Sequence, residues 1–85
     1  MNFKAEIDVM PLNELLDPQG KAVTNSMSNI GVDQISNVRI GKHISLELEA
    51  VDENDAEKKV TVACEKLLSN PVMEYFRFEI SRQSH

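Results

Sequence analysis

Cysteine is almost missing: Cys64 is the only one in 85 residues, so no disulfide closes within the chain, whereas small secreted domains ordinarily depend on several. A reducing, cytoplasmic setting is the expectation. Basic residues are outnumbered, 9 Lys+Arg against 14 Asp+Glu for a net charge of -5. That balance repels phosphate backbones and anionic lipid, so neither nucleic acid nor a membrane is an expected partner. No run approaches the roughly 18 apolar residues of a spanning helix, and Glu6 and Asp8 stand where a signal peptide keeps its apolar region. Length is the last shortage. A chain this small buries only about 60% of its unfolded surface, which argues against a deep, water-excluding active site. Residues 1–85 read as one thin-cored domain with a frayed tail at 81–85.

Residues 3–9 alternate Phe3, Ala5, Ile7 and Val9 with Lys4, Glu6 and Asp8, the period of a strand with one buried face. Asp17-Pro18 then offers a helix cap followed by the residue suited to a first helical position. Val23, Met27 and Ile30 share one face of a helix predicted over 18–30, and Gly31 is placed to end it in the left-handed conformation. Between 35 and 50 the apolar Val38, Ile40, Ile44, Leu46, Leu48 and Ala50 keep one phase without a break. A two-residue turn at Gly41-Lys42 would send the two rows to opposite faces. Either a three-residue turn pairs Ile40 with Ile44 and Val38 with Leu46, or the segment is one continuous strand and two copies of the chain exchange elements. Asp52-Glu53-Asn54-Asp55 opens a second helix carrying Ala56, Val60, Ala63, Cys64 and Leu67 at helical spacing, and Asn70-Pro71 stops it. A last strand over 72–80 puts Phe76, Phe78 and Ile80 on one face. The order β-α-β-β-α-β predicts an α+β, ferredoxin-like fold, a four-stranded antiparallel sheet with two helices on one face and the other face bare.

Such folds host many functions, so each requires its own site. RNA-binding domains of this topology stack bases on aromatics of the central strands, and the first strand here offers only Phe3. A metal centre needs paired thiols or a His/Cys cluster; Cys64 stands alone, and His43 and His85 lie far apart in sequence. An acylphosphatase-like phosphate loop would carry Gly and Arg after the first strand, and residues 10–19 contain neither. No nucleophile-base set assembles. No catalytic, cofactor-binding or metal-binding residue is therefore predicted. Two features stand out. Residues 22–32 hold no ionisable side chain, a composition typical of interface centres and also compatible with an ordinary polar helix surface. Arg39, Lys42 and His43 form the only basic cluster, which either meets an acidic partner or pairs with Glu47 or Glu49. His43 itself is either a group titrating near neutrality or a turn residue.

The blocks Leu16-Asp17-Pro18-Gln19-Gly20-Lys21-Ala22-Val23, Val38-Arg39-Ile40-Gly41-Lys42 and Cys64-Glu65-Lys66-Leu67-Leu68-Ser69-Asn70-Pro71-Val72, with Arg77-Phe78-Glu79, resemble the small PurS subunits of phosphoribosylformylglycinamidine synthase. The likeness runs from Phe3 to Ile80 and departs from the family pattern at His43 and at Tyr75-Phe76. It implies a role in de novo purine synthesis. In that family a large synthetase subunit uses ATP to activate the amide of formylglycinamide ribonucleotide, a glutaminase subunit releases ammonia from glutamine, and ammonia replaces the amide oxygen. The resemblance implies that the small subunit is non-catalytic, bridges the other two, and is itself a dimer or tetramer with exchanged segments. ATP and magnesium are then expected in the large subunit and no cofactor in this chain. By motif position, Asp17, Pro18, Gln19, Gly20, Lys21, Arg39, Gly41 and Lys42 are the expected partner-interface residues. A reading from another class, a small-molecule-binding regulatory domain of ACT-like topology, ordinarily has a glycine turn after the first strand, and residues 10–16 have none.

Overall fold

The computed structural model describes residues 1–83. Strands β1 (Asn2–Pro11), β2 (Lys42–Glu49) and β3 (Glu74–Arg82) and helices α1 (Pro18–Ser26) and α2 (Glu53–Ala63) follow in the order β1-α1-β2-α2-β3. β1 is the central strand of an antiparallel sheet ordered β2-β1-β3. The alternation in its sequence explains the place: Phe3, Ala5, Ile7 and Val9 are all buried; Ala5 and Ile7 oppose apolar residues on both neighbours, Phe3 opposes Leu48 of β2 and Val9 opposes Phe76 of β3. Ile7, for instance, lies opposite Ile44 on one side and Phe78 on the other. These rows face α2, whose Ala56 and Val60 complete the core together with Cys64 just beyond its end.

Helix α2 starts where the acids predicted. Asp52 accepts the Asp55 N–H at 2.8 Å as N-cap, while the Asp55 carboxylate accepts the Val51 N–H at 3.0 Å and pairs with Lys59 at 3.1 Å. The helix ends in a wider π-type turn, Cys64–Leu68, where the Ser69 N–H and hydroxyl both donate to the Cys64 carbonyl at 3.0 and 2.8 Å. Helix α1 begins at Asp17-Pro18, runs on as a 3₁₀ turn over Met27–Ile30, and stops at Gly31, whose φ of 84° is the left-handed value that favours glycine.

The expected fourth strand is absent among the described residues. Residues 35–41 carry the right alternation, but their backbone donors are taken by side chains: the Val38 N–H donates to Thr24 Oγ1 at 3.0 Å and the Ile40 N–H to Asp17 Oδ2 at 2.8 Å. The edge of the segment that presents these N–H groups is thereby taken up and is not free to pair with a neighbouring strand. The three-residue hairpin is likewise replaced, because Ile44, Leu46 and Leu48 oppose Ile7, Ala5 and Phe3 of β1, not Ile40 and Val38. Nor do two helices cover the sheet. Only α2 packs on it, and α1 stands off beside residues 31–41, which we term the arm. The fraying expected over 81–85 is not found at Ser81 and Arg82, which pair with Lys4 and Phe3, or at Gln83, whose N–H donates to the Asn2 carbonyl at 2.8 Å; 84 and 85 lie outside the described residues. The result is elongated, 50 × 30 × 14 Å, with a radius of gyration of 16.6 Å where a compact chain of this length has about 12 Å.

Candidate functional site

The residues singled out by motif converge at the junction of α1 and the arm, and there they divide into two groups. Asp17, Gly20, Arg39 and Gly41 build the junction. Asp17 caps α1 by accepting the Gly20 N–H at 3.0 Å through one carboxylate oxygen and holds the arm by accepting the Ile40 N–H through the other. Those two backbone hydrogen bonds, with a smaller attraction from the Arg39 charge, hold its carboxyl below the ordinary value. Gly20 is buried because the arm crosses directly over it: a Cβ there would collide with the Val38 carbonyl oxygen and lie 2.7 Å from Asp17 Oδ2. Gly41 is bare for a similar reason, since a Cβ would meet the Val9 carbonyl oxygen and Met10 Sδ.

Arg39 is the second fastening. Its guanidinium donates to the carbonyl oxygens of Leu12 at 2.6 Å, Leu15 at 3.2 Å and Pro11 at 3.3 Å, tying the arm to the connection that leaves β1. Its buried Nε finds no partner. The pairing with Glu47 or Glu49 weighed from sequence is not formed; three carbonyls take the place of a carboxylate. Thr24 was given no role by the sequence, yet its hydroxyl donates to the Gly20 carbonyl at 2.8 Å while accepting from Val38. A threonine one turn into a helix has no signature that announces such a contact.

The second group points outward. Pro18, Gln19 and Lys21 are exposed on the first turn of α1, and Lys42 is exposed at the start of β2. Around them lies apolar surface without a partner: Leu16 is 79% and Ile30 74% exposed, and Val23 and Ile35 are exposed as well. Helix positions that read as a core face thus form an open surface. A groove of about 570 Å³, lined in part by Leu16, Lys21, Asn25 and Val38, runs between the connection and the arm. Among the described residues no group of three or more His, Cys, Asp or Glu is arranged to hold a metal ion, and no helix is long and apolar enough to cross a membrane.

A separate polar cluster occupies the sheet face turned away from α2. His43 of β2 reaches two carboxylates of β1, Asp8 through Nδ1 at 2.7 Å and Glu6 through Nε2 at 2.6 Å. Ser45 donates to Glu6 at 3.1 Å, Lys4 lies 3.3 Å from Glu6, and Arg77 of β3 lies 3.5 Å from Asp8. The sequence singled out His43 but not its partners, which are 35 and 37 residues away.

With the geometry in place, comparison with known proteins gives a consistent answer. The family model for PurS, phosphoribosylformylglycinamidine (FGAM) synthase, matches residues 4–82. The PurS subunit of FGAM synthase from Synechocystis is 46% identical over 80 residues, covering 94% of this chain and 80% of its own length. The solved structure of Bacillus subtilis PurS superposes with a TM-score of 0.84 at 35% identity, over 94% of this chain and 99% of that one. A chain in the structure of PurLQS from Thermotoga maritima does so with a TM-score of 0.86 at 33% identity, over 95% and 99%.

Proposed function

Because this chain belongs to the PurS family, the small subunit of FGAM synthase, a ligase complex of purine biosynthesis, we propose that it is the non-catalytic assembly piece of that complex. It bridges the synthetase and glutaminase subunits so that ammonia released at one reaches the activated amide at the other. The Thermotoga maritima relative was solved as PurLQS, and the same partnership is proposed for this chain. In this reading ATP and magnesium are bound by the large subunit, the work is done in the cytoplasm, and the small subunit contributes surface and geometry.

One observation carries the reading. The α1–arm unit is internally fastened by Asp17, Thr24 and Arg39 yet leaves Leu16, Val23, Ile30 and Ile35 uncovered. A chain does not hold an apolar, charge-poor surface rigidly away from its own sheet unless something covers it. A second copy accounts for this best, since the α1 left off one sheet meets the half-covered apolar row Ile44, Leu46 and Leu48 of another. Self-association as a dimer or tetramer with exchanged segments then presents Pro18, Gln19, Lys21 and Lys42 to the larger subunits.

Reconstitution with the synthetase and glutaminase subunits tests the proposal. Glutamine-dependent amidine formation is expected to need this chain, while ammonia-dependent formation by the synthetase is expected to proceed without it. Equal glutamine-dependent rates with and without the chain would refute the bridging role. Lys21→Glu with Lys42→Glu, both exposed and outside the junction, is expected to weaken assembly while leaving the isolated chain folded.

A further inference from the structure

The sheet face opposite α2 carries an arrangement that is chemically incomplete in the ordinary state of its central group. Both imidazole nitrogens of His43 sit within hydrogen-bond distance of a carboxylate oxygen, Asp8 Oδ1 on one side and Glu6 Oε2 on the other. A carboxylate only accepts, so both nitrogens must donate, and only the imidazolium has two N–H groups. In either neutral tautomer one nitrogen lone pair would face an oxygen lone pair at under 3 Å. The position adds meaning to the chemistry. His43 is the second residue of β2, opposite Asp8 in register, and stands two residues after Gly41, where the arm ends in close contact with Val9 and Met10. It is the place where the arm is rooted in the sheet.

We propose that His43 is a proton-dependent clasp that pins the root of the arm to β1, closed when the imidazole is doubly protonated and loosened when it loses a proton. The charged groups around it favour the closed form. On β1, Glu6 and Asp8 attract the imidazolium, and Lys4, which pairs with Glu6, opposes them weakly. On β3, Arg77 competes for Asp8 at 3.5 Å through its other oxygen, and Glu79, opposite Glu6 in register, adds negative charge. On β2, Lys42 precedes the histidine and Ser45 donates to Glu6. Hydrogen bonds donated to Asp8 first and Glu6 second raise the histidine above its ordinary 6.5, and the His43 contact is the largest cause lowering both carboxylates. The sign follows by linkage. The histidine's contribution is whole below 6.5 and disappears as the pH rises through its raised value, while the carboxylates' share disappears as the pH falls through theirs. The clasp therefore weakens on the alkaline side of the histidine's raised value.

The test is NMR on the full chain, with ¹⁵N-histidine shifts and amide protection factors followed from pH 5.5 to 8.5. His43→Gln identifies the His43 signals against those of His85. Wild-type His43 is expected to show two protonated-type nitrogens at pH 6.5 and a midpoint above 6.5, and Asp8→Asn is expected to bring that midpoint down. Protection of residues 41–45 is expected to fall by about two- to fivefold across the titration, the size of a screened surface pair, and to be flat in His43→Gln. A midpoint at or below 6.5 would overturn the proposal. So would equal pH dependence of protection in wild type and His43→Gln. Should His43→Gln prove misfolded, the midpoint of the folded Asp8→Asn variant decides alone, an unchanged value counting against the clasp.

Discussion

Replacing Gly20 by alanine sets two well-calibrated effects against each other at one atom. Within a helix, alanine is favoured over glycine by about 1 kcal/mol, partly because it restricts the unfolded chain, so by propensity alone Gly20→Ala should stabilise α1. The arm reverses the sign. The new methyl would collide with the backbone carbonyl of Val38, and a backbone atom cannot step aside as the end of a flexible side chain can. Relief requires the arm to lift, which strains or breaks the Val38–Thr24 and Ile40–Asp17 hydrogen bonds. Overpacking of this kind costs about 1–3 kcal/mol, leaving a net loss of up to about 2 kcal/mol after the helical gain is subtracted. In a domain of this size that lowers Tm by several degrees. The loss should also be local: amide shifts and exchange protection should change in residues 17–24 and 36–41, while β1, β2 and β3 keep theirs. A Tm equal to or above wild type, with Val38 and Ile40 amides as protected as before, would refute the close-crossing account of Gly20.

Four further outcomes are expected. Val60→Ala, at a core residue 1% exposed, removes two methyl groups and leaves a cavity, costing about 2 kcal/mol by chemical denaturation with an unchanged m-value. Cys64, fully buried and with its thiol raised by that burial and by neighbouring Glu65, should react with iodoacetamide only at the rate of opening, so that mild denaturant accelerates alkylation while a small rise in pH scarcely does. Val23→Glu with Ile30→Glu should shift the sedimentation coefficient toward the monomer while the circular dichroism of the sheet is retained; an unchanged coefficient would remove this face from the self-association argument. Asp17 has a carboxyl held below its ordinary 3.8, so its hold on the arm is complete above that value and is lost as the pH falls through the lowered one. Asp17→Asn should therefore flatten the acid limb of arm protection measured by hydrogen exchange.

What the sequence discloses and what it hides divide along a physical line. Signals confined to neighbouring residues are legible: the Asp17-Pro18 start and Gly31 stop of α1, the acidic cap of α2, and the alternation of β1 all correspond to observed geometry. The alternation of Val38 and Ile40 is equally plain, but it records half-burial where the arm crosses α1 at Gly20 and the connection after β1, and not membership of a sheet. Periodicity reports which side of a segment is covered, never by what. The same ambiguity governs Val23 and Ile30, whose helical spacing reads as a core face although Ile30 is 74% and Val23 36% exposed. Arg39 is least legible, because its partners are main-chain carbonyls, which every residue possesses and no sequence marks. The His43 cluster becomes visible only once the β1–β2 register sets Asp8 opposite it.

The two fastenings of the arm have a mechanical consequence. Arg39 ties the segment before β2 to the segment after β1, and Asp17 ties both to the start of α1, while the Leu12 N–H donates to the Met73 carbonyl just ahead of β3 at 2.9 Å. The three chain crossings at that end of the sheet are thereby braced against one another, and none is left as a lone hinge. Load applied at α1 is delivered to β1 and β2 together, so the helix behaves as a short cantilever with a stiff mount. Under the bridging role proposed above, such stiffness would matter, because a distance set by a braced mount does not drift with the thermal motion of a single loop.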